Sequence, residues 1–242
     1  MPSAPVVAPA TPTFASGLLL APSTTLTVTG CPTDATLGRA LLFIALGAIA
    51  GMLSAGKLGD RFGTKTLLPG ALIFAATIPM LVFPTSIVAL LLPLTLLGAA
   101  SGAYDVFING AASVYETTYD TKVMGGMHAL FSAGVLVASP LVGIAREGGA
   151  GSAQILPVLT VCVVLSGLAL PGLRLPAADR GTRGPMRMSS QLLLLGTLCA
   201  LAFLIEDGLL SWSAIQLEET LGASAAIGGL GPGVLAGSER LL

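Results

Sequence analysis

Long uninterrupted apolar stretches recur along this sequence and constrain its fold more than any other feature. They occupy residues 37–55, 66–84, 88–114, 124–145, 153–173, 190–205 and 222–237, and the last is short and rich in glycine. A bilayer core requires about 20 consecutive apolar residues per helix. Only 10% of the chain is charged, whereas soluble domains carry about 25%. The sequence therefore predicts an all-α, polytopic transmembrane helix bundle in a lipid bilayer.

Residues 1–36 differ in amino-acid composition from the rest of the chain. They are rich in Ala, Pro, Ser and Thr, and Asp34 is their only charged residue. Pro22 and the threonines around it make a poor helix. A signal peptide would require Lys or Arg near the start, but the first basic residue is Arg39. We expect residues 1–36 to be either a degraded first span or a disordered, irregular tail.

Basic residues crowd into every second connection between the apolar blocks. Eight of the eleven Lys and Arg residues lie there, namely Lys57, Arg61, Lys65, Lys122, Arg174, Arg180, Arg183 and Arg187. The positive-inside rule places these connections in the cytoplasm. The connection with Arg146 and Glu147 and the one with Glu218 and Glu219 are then expected on the outer side. We therefore expect a multi-pass protein of the cell inner (plasma) membrane.

Several functional classes are disfavoured. The net charge of −1 implies no attraction to nucleic acid. Cys31, Cys162 and Cys199 lack the spacing of metal ligands, and a single histidine without an HExxH motif argues against a metal-dependent intramembrane enzyme. We expect no catalytic residues, no metal and no cofactor.

Small residues recur every four positions in three of the blocks. They are Gly47, Gly51 and Ala55; Gly98 and Gly102; and Gly229, Gly233 and Gly237. Such spacing lines one helix face and lets two backbones approach closely. We expect these faces to be helix–helix contacts.

The connection after the first block carries a family motif. It reads Gly56-Lys57-Leu58-Gly59-Asp60-Arg61-Phe62-Gly63-Thr64-Lys65. This resembles the G-x-L-x-D-R-x-G-R-K loop between helices two and three of the major facilitator superfamily. The matching residues are Gly56, Leu58, Asp60, Arg61, Gly63 and Lys65, whereas Thr64 stands where the family usually has arginine. The resemblance implies that this signature loop steadies one conformation of a transport cycle and that its glycines let neighbouring helices pack tightly.

Three further stretches resemble helices four, five and seven of one bacterial permease subgroup of that family. They are residues 102–109 with Glu116, residues 128–134, and Glu206 with Trp212-Ser213. The resemblance covers residues 37–242 and implies helices two to eight of twelve. Residues 37–173 would then belong to the N-terminal half, 174–189 to the cytoplasmic central loop, and 190–242 to the start of the C-terminal half. We expect a truncated or frame-damaged member, or a piece of a longer chain.

Ionisable residues inside membrane spans are costly and are therefore candidates for function. Asp105 and Asn109 share a helix face, and Asp105 lies roughly 26 Å from the outer end of its span at 1.5 Å per residue. His128, the only histidine, lies at similar depth on the next helix. Because histidine titrates near physiological pH, we predict that Asp105 and His128 form a hydrogen-bonded or charged pair near the inner mouth of the path and carry a coupling proton. The alternative is that His128 caps or packs at a helix end while Asp105 ties helices together.

Glu206 lies toward the outer end of its span. It is predicted either to line the path or to be exposed at the membrane interface.

Together these features predict a secondary active transporter that moves a small solute by alternating access and is coupled to protons. Sparse charge within the spans suits a neutral or amphipathic solute, such as a sugar or a drug-like molecule. The alternative is a truncated, non-transporting membrane remnant or a membrane interaction protein, because either would share every helix feature.

Overall fold

The computed structural model describes residues 34–84, 86–168 and 189–238, and its regular structure in these ranges is entirely helical. The α-helices are α1 (Asp34–Phe62), α2 (Leu67–Thr77), α3 (Ile87–Tyr119), α4 (Met124–Glu147), α5 (Ser152–Leu168), α6 (Ser190–Ile215), α7 (Ala225–Gly228) and α8 (Leu230–Ser238). Short 3-10 segments cover Gly63–Thr66 and Pro79–Val82, and a π-helical turn covers Gln216–Thr220. In the described residues, each predicted apolar block coincides with helix over most of its length, so the all-α prediction is confirmed.

Two of the predicted segments fall largely outside the described residues. These are the irregular N-terminal segment up to residue 33 and the central loop from 174 to 188. The helix α1 begins at Asp34, three residues before the first predicted apolar block.

Among the residues that the structure describes, three helical stretches are long and apolar enough to cross a membrane: Leu42–Val82, Val88–Tyr119 and Met124–Glu147. The first contains 41 residues and would measure about 60 Å as one straight helix, about twice the hydrocarbon thickness of a bilayer. Gly63 interrupts it with a φ of +57°, a left-handed conformation that glycine adopts without steric cost. The stretch is thereby divided into α1 and α2.

The glycine faces of α1 and α3 pack directly against each other. A Cβ atom added at any of four glycines would collide with a backbone carbonyl oxygen of the opposite helix. The pairs are Gly47 with Thr95, Gly51 with Ala99, Gly98 with Ile44, and Gly102 with Ala48. The prediction of close helix contacts at these positions is confirmed. Because the partner numbers rise together, α1 and α3 run in the same direction.

The opposite side of α3 is covered by α2, which also packs on α5. The Phe74 ring lies 5.9 Å from the ring of Tyr104, and both side chains are buried. A Cβ atom at Gly167 of α5 would lie 2.8 Å from the Ala71 Cβ atom. The packing of this core fixes the orientation of α3 about its own axis. It therefore determines which α3 side chains face away from α2.

A second packing unit joins α4 to α7 and α8. A Cβ atom at Gly229 would lie 2.6 Å from the Ser139 carbonyl oxygen and 3.0 Å from the Gly143 Cα atom. Further along, Gly237 faces the Leu136 side chain. The residue numbers of the contacts fall along α4 as they rise along α8, so the two helices run in opposite directions. Both this relation and the parallel α1–α3 pair are expected if successive helices cross the membrane alternately.

Candidate functional site

Asp105 lies on the surface of α3 that faces away from the core. Its neighbours Tyr104 and Ile108 are buried, whereas the Asp105 side chain is exposed in the described structure. Asn109 Nδ2 donates hydrogen bonds to Asp105 Oδ1 and to the Asp105 carbonyl oxygen, each at 3.0 Å. The spacing of four residues places the two side chains one above the other on the helix. Asn109 therefore holds the carboxylate in one orientation.

His128 lies in the second turn of α4. Its Nδ1 atom is 3.0 Å from the Met124 carbonyl oxygen. A carbonyl oxygen only accepts hydrogen bonds, so Nδ1 carries a hydrogen in this arrangement.

The structure brings Asp105 and His128 within electrostatic range of each other across the α3–α4 boundary. Each makes its hydrogen bonds within its own helix, Asp105 with Asn109 and His128 with Met124. The interaction between the Asp105 and His128 side chains is therefore electrostatic. The helix α3 continues to Tyr119, five residues beyond the predicted block, so Asp105 lies nearer the middle of its helix than the block boundaries suggested.

Glu116 anchors the start of α4, a role that its position in the sequence does not predict. Its Oε1 atom accepts hydrogen bonds from the backbone N–H groups of Val123 at 2.7 Å and Met124 at 2.8 Å. Asp120, which lies between Glu116 and Val123 in the sequence, ends α3 with a φ of 49°. Its backbone N–H donates a hydrogen bond to the Glu116 carbonyl oxygen. The first N–H groups of a helix lack partners within it, so this carboxylate satisfies two of them. Because Met124 in turn accepts from His128, Glu116 also positions the imidazole.

Glu206 belongs to a different part of the fold. It is half-buried on α6, which packs chiefly on α7 and α8. Trp212 is half-buried six residues further on. The structure thus groups Asp105, Asn109 and His128 and leaves Glu206 on a separate helix pair. The neighbouring Asp207 side chain lies outside the described part.

The signature stretch is mostly helical and only partly a loop. Its first four matching residues, Gly56, Leu58, Asp60 and Arg61, lie in the last turns of α1, and the chain turns only at Gly63. A Cβ atom at Gly56 or at Gly63 would meet no atom within 4 Å.

The expectation that these glycines permit tight packing is therefore wrong within the described residues. Glycine is required at position 63 for the left-handed backbone conformation of the turn, not for packing. Leu58, Asp60, Arg61 and Lys65 are exposed, and the Arg61 guanidinium lies 5.2 Å from the centroid of the Phe62 ring.

An ion pair at the far end of α4 was also not anticipated. Arg146 Nη1 and Nη2 donate to Glu218 Oε1 and Oε2 at 2.7 and 2.8 Å. Both residues belong to connections that the positive-inside rule predicts on the outer side. Their adjacency, however, depends on the packing of α4 against the α6–α8 region.

Comparisons with known proteins indicate a common ancestry. The chain is 31% identical over 215 residues to an uncharacterized MFS-type transporter of Yersinia pestis, covering 84% of this chain and 54% of the relative. It is 27% identical over 205 residues to the membrane protein MosC of Rhizobium meliloti, with coverages of 82% and 49%. It is 29% identical over 211 residues to an uncharacterized transporter of Sinorhizobium fredii, with coverages of 81% and 54%.

The chain thus spans about half the length of these curated relatives. No protein-family model and no solved structure matches it.

Proposed function

This chain belongs to the major facilitator superfamily, and from that premise we propose that it takes part in secondary transport of a small solute by alternating access, coupled to protons. The chain is a membrane protein, and its relatives are named as transporters. In such proteins the substrate binds near the midplane between two halves that rock about it. The proposed setting is the cell inner (plasma) membrane, crossed several times.

The observation that carries the proposal is the group formed by Asp105, Asn109 and His128. Asn109 holds the carboxylate, and the Met124 carbonyl oxygen accepts a hydrogen bond from Nδ1 of the imidazole. A proton on Nε2 gives His128 a positive charge within range of Asp105. The attraction between α3 and α4 then depends on whether the proton is present, because only the charged imidazole attracts the carboxylate.

Burial of ionisable groups inside a membrane is energetically unfavourable, so such groups commonly mark functional sites such as proton relays. The Asp105–His128 pair therefore suits proton coupling. Binding and release of the proton change the electrostatic tie between two helices, and a conformational equilibrium shifts by the difference in binding free energy between its states. The solute class we propose is neutral or amphipathic, such as a sugar or a drug-like molecule. The apolar composition of α3 and α4 supports this choice.

Proton movement in proteoliposomes tests the proposal. The purified chain is reconstituted with a pH-sensitive dye trapped inside, and a panel of neutral sugars and amphipathic cations is added outside. We expect at least one panel member to change the internal pH, and a proton ionophore to abolish the change. Uptake of a panel member that is insensitive to the ionophore would overturn the proton coupling.

A further inference from the structure

The ion pair between Arg146 and Glu218 joins parts of the chain that are 72 residues apart. Its two parallel N–H···O bonds have the bidentate geometry of strong guanidinium–carboxylate pairs. The side chains retain only 17% and 20% of their exposure. Partial removal from water strengthens such a pair relative to an exposed surface pair.

A second polar contact lies beside the first. Glu147 Oε2 accepts a hydrogen bond from the Ala226 N–H at 3.0 Å. The Glu218 side chain itself packs over Gly228, where a Cβ atom would clash with the Glu218 carboxylate. The last two residues of α4 are therefore both tied to the connection between α6 and α8.

Beneath these polar contacts the two elements touch backbone to backbone. A Cβ atom at Gly143 would lie 2.5 Å from the Ala225 carbonyl oxygen and 3.0 Å from the Gly229 Cα atom. Ser139, one further turn down α4, is 1% exposed. Its Oγ atom has no hydrogen-bond partner among the described residues. The polar contacts of Arg146 and Glu147 therefore lie directly above a close backbone contact between α4 and the α7–α8 region.

The direction of the helices assigns this end of α4 to the outer side. The start of α4 is capped by Glu116 near Lys122, in a connection that the positive-inside rule places in the cytoplasm. Arg146 lies 22 residues after Met124, so the ion pair is about 33 Å away along the helix. That distance matches the thickness of a bilayer core.

From these contacts we infer that Arg146 and Glu218 form a latch that holds the outer end of α4 against the α6–α8 connection and so closes the solute path from outside. The inference rests on the alternating-access part of the proposed function. In the closed arrangement the two charges satisfy each other, and opening to the outside requires that both be rehydrated separately. Glu147 supports the latch through Ala226.

Thiol labelling tests the latch without any solute. Cys31, Cys162 and Cys199 are replaced by serine, and Ser139→Cys is introduced as a nearly isosteric probe inside the α4–α8 contact. A membrane-impermeant maleimide is added to intact cells that carry the chain in their inner membrane after permeabilisation of any outer envelope. Arg146→Glu and Glu218→Arg are then compared singly and together, and Glu219→Arg is the matched control because it makes the same charge change one residue away.

We expect each single reversal at Arg146 or Glu218 to raise the labelling rate of the Ser139→Cys probe by about tenfold. The double reversal is expected to restore slow labelling, and Glu219→Arg to leave the rate unchanged. Unaltered labelling in both single variants, or a double variant as fast as the singles, would overturn the latch. Arg146→Gln and Glu218→Gln replace the reversals if those reduce the amount of protein in the membrane.

The two proposals fail separately. If labelling responds as expected but no panel solute moves protons, the latch stands and the proposed proton-coupled transport of these solutes is wrong. If protons move but labelling is unchanged, the transport proposal stands and the latch is wrong.

Discussion

Gly51 of α1 lies against the backbone of Ala99 on α3 so closely that a Cβ atom at position 51 would collide with the Ala99 carbonyl oxygen. Gly98 and Gly102 of α3 make the reciprocal contacts with α1. Lipid tails are as apolar as leucine side chains, so membrane helices associate by close packing more than by exclusion from water. The glycine-lined contact of α1 with α3 is therefore the main source of cohesion in this part of the bundle.

Replacement of Gly51 by valine tests that role. Overpacking a well-filled contact costs about 1–3 kcal/mol, and here the obstacle is backbone that cannot rotate away. We expect Gly51→Val to lower the thermal unfolding temperature in detergent or to abolish the monodisperse peak in size-exclusion chromatography. Gly56→Val is the matched control, because a Cβ atom at Gly56 meets no atom within 4 Å. Equal destabilisation by both variants would contradict the assigned contact.

Gly63 provides a second test, this time of backbone conformation. Its φ of +57° costs an alanine about 1–2 kcal/mol. Gly63→Ala should therefore lower the unfolding temperature by a few degrees, at about 2–4 °C per kcal/mol for a chain of this size. Asparagine tolerates the left-handed region better than alanine, so Gly63→Asn should recover part of the loss. The account of the turn fails if alanine and asparagine behave alike.

Glu116 is expected to matter for the stability of α4. Loss of a side-chain cap costs about 0.5–2 kcal/mol, and Glu116→Ala leaves the N–H groups of Val123 and Met124 without their acceptor. Glu116→Gln keeps one acceptor oxygen and should be milder. Hydrogen exchange at Val123 and Met124, read by mass spectrometry of the peptide that contains them, should accelerate in the alanine variant. Unchanged exchange in Glu116→Ala would show that the cap does not hold the start of α4.

Much of the fold was predictable from local pattern. The apolar blocks located the helices because the bilayer sets a minimum apolar length, and the four-residue glycine spacing located two helix contacts because it places small residues on one face. Boundaries were less predictable. The helix α1 continues through the polar residues up to Phe62, since helical backbone remains favourable beyond the apolar stretch until Gly63 breaks it.

The site was predictable only in part. Helical spacing anticipated the contact between Asp105 and Asn109, and helix depth anticipated that Asp105 and His128 come near each other. The Glu116 cap and the Arg146–Glu218 pair were not anticipated, because each joins residues on different elements. Their contacts depend on how neighbouring helices rotate and cross, which periodicity within one helix does not encode.

Asp105 and Asn109 make separable predictions for transport. Asp105→Asn removes the charge that faces His128 and should lower solute-driven proton movement by about tenfold or more, as for a proton-transfer group. Asn109→Ala keeps the charge but frees the carboxylate, so it should reduce the rate less than Asp105→Asn does. The comparison is made in proteoliposomes with matched protein content. A larger loss in Asn109→Ala than in Asp105→Asn would assign the role of this face to packing.

The pH profile of solute-driven proton movement, compared between the wild-type chain and His128→Gln, tests the proton-coupling account most directly. Glutamine preserves a polar side chain of similar reach but does not titrate. We expect the wild-type rate to change between about pH 5 and 8, where histidine changes charge, and the His128→Gln rate to be low and nearly flat over that range. An unchanged pH dependence in His128→Gln would contradict the role proposed for the Asp105–His128 pair.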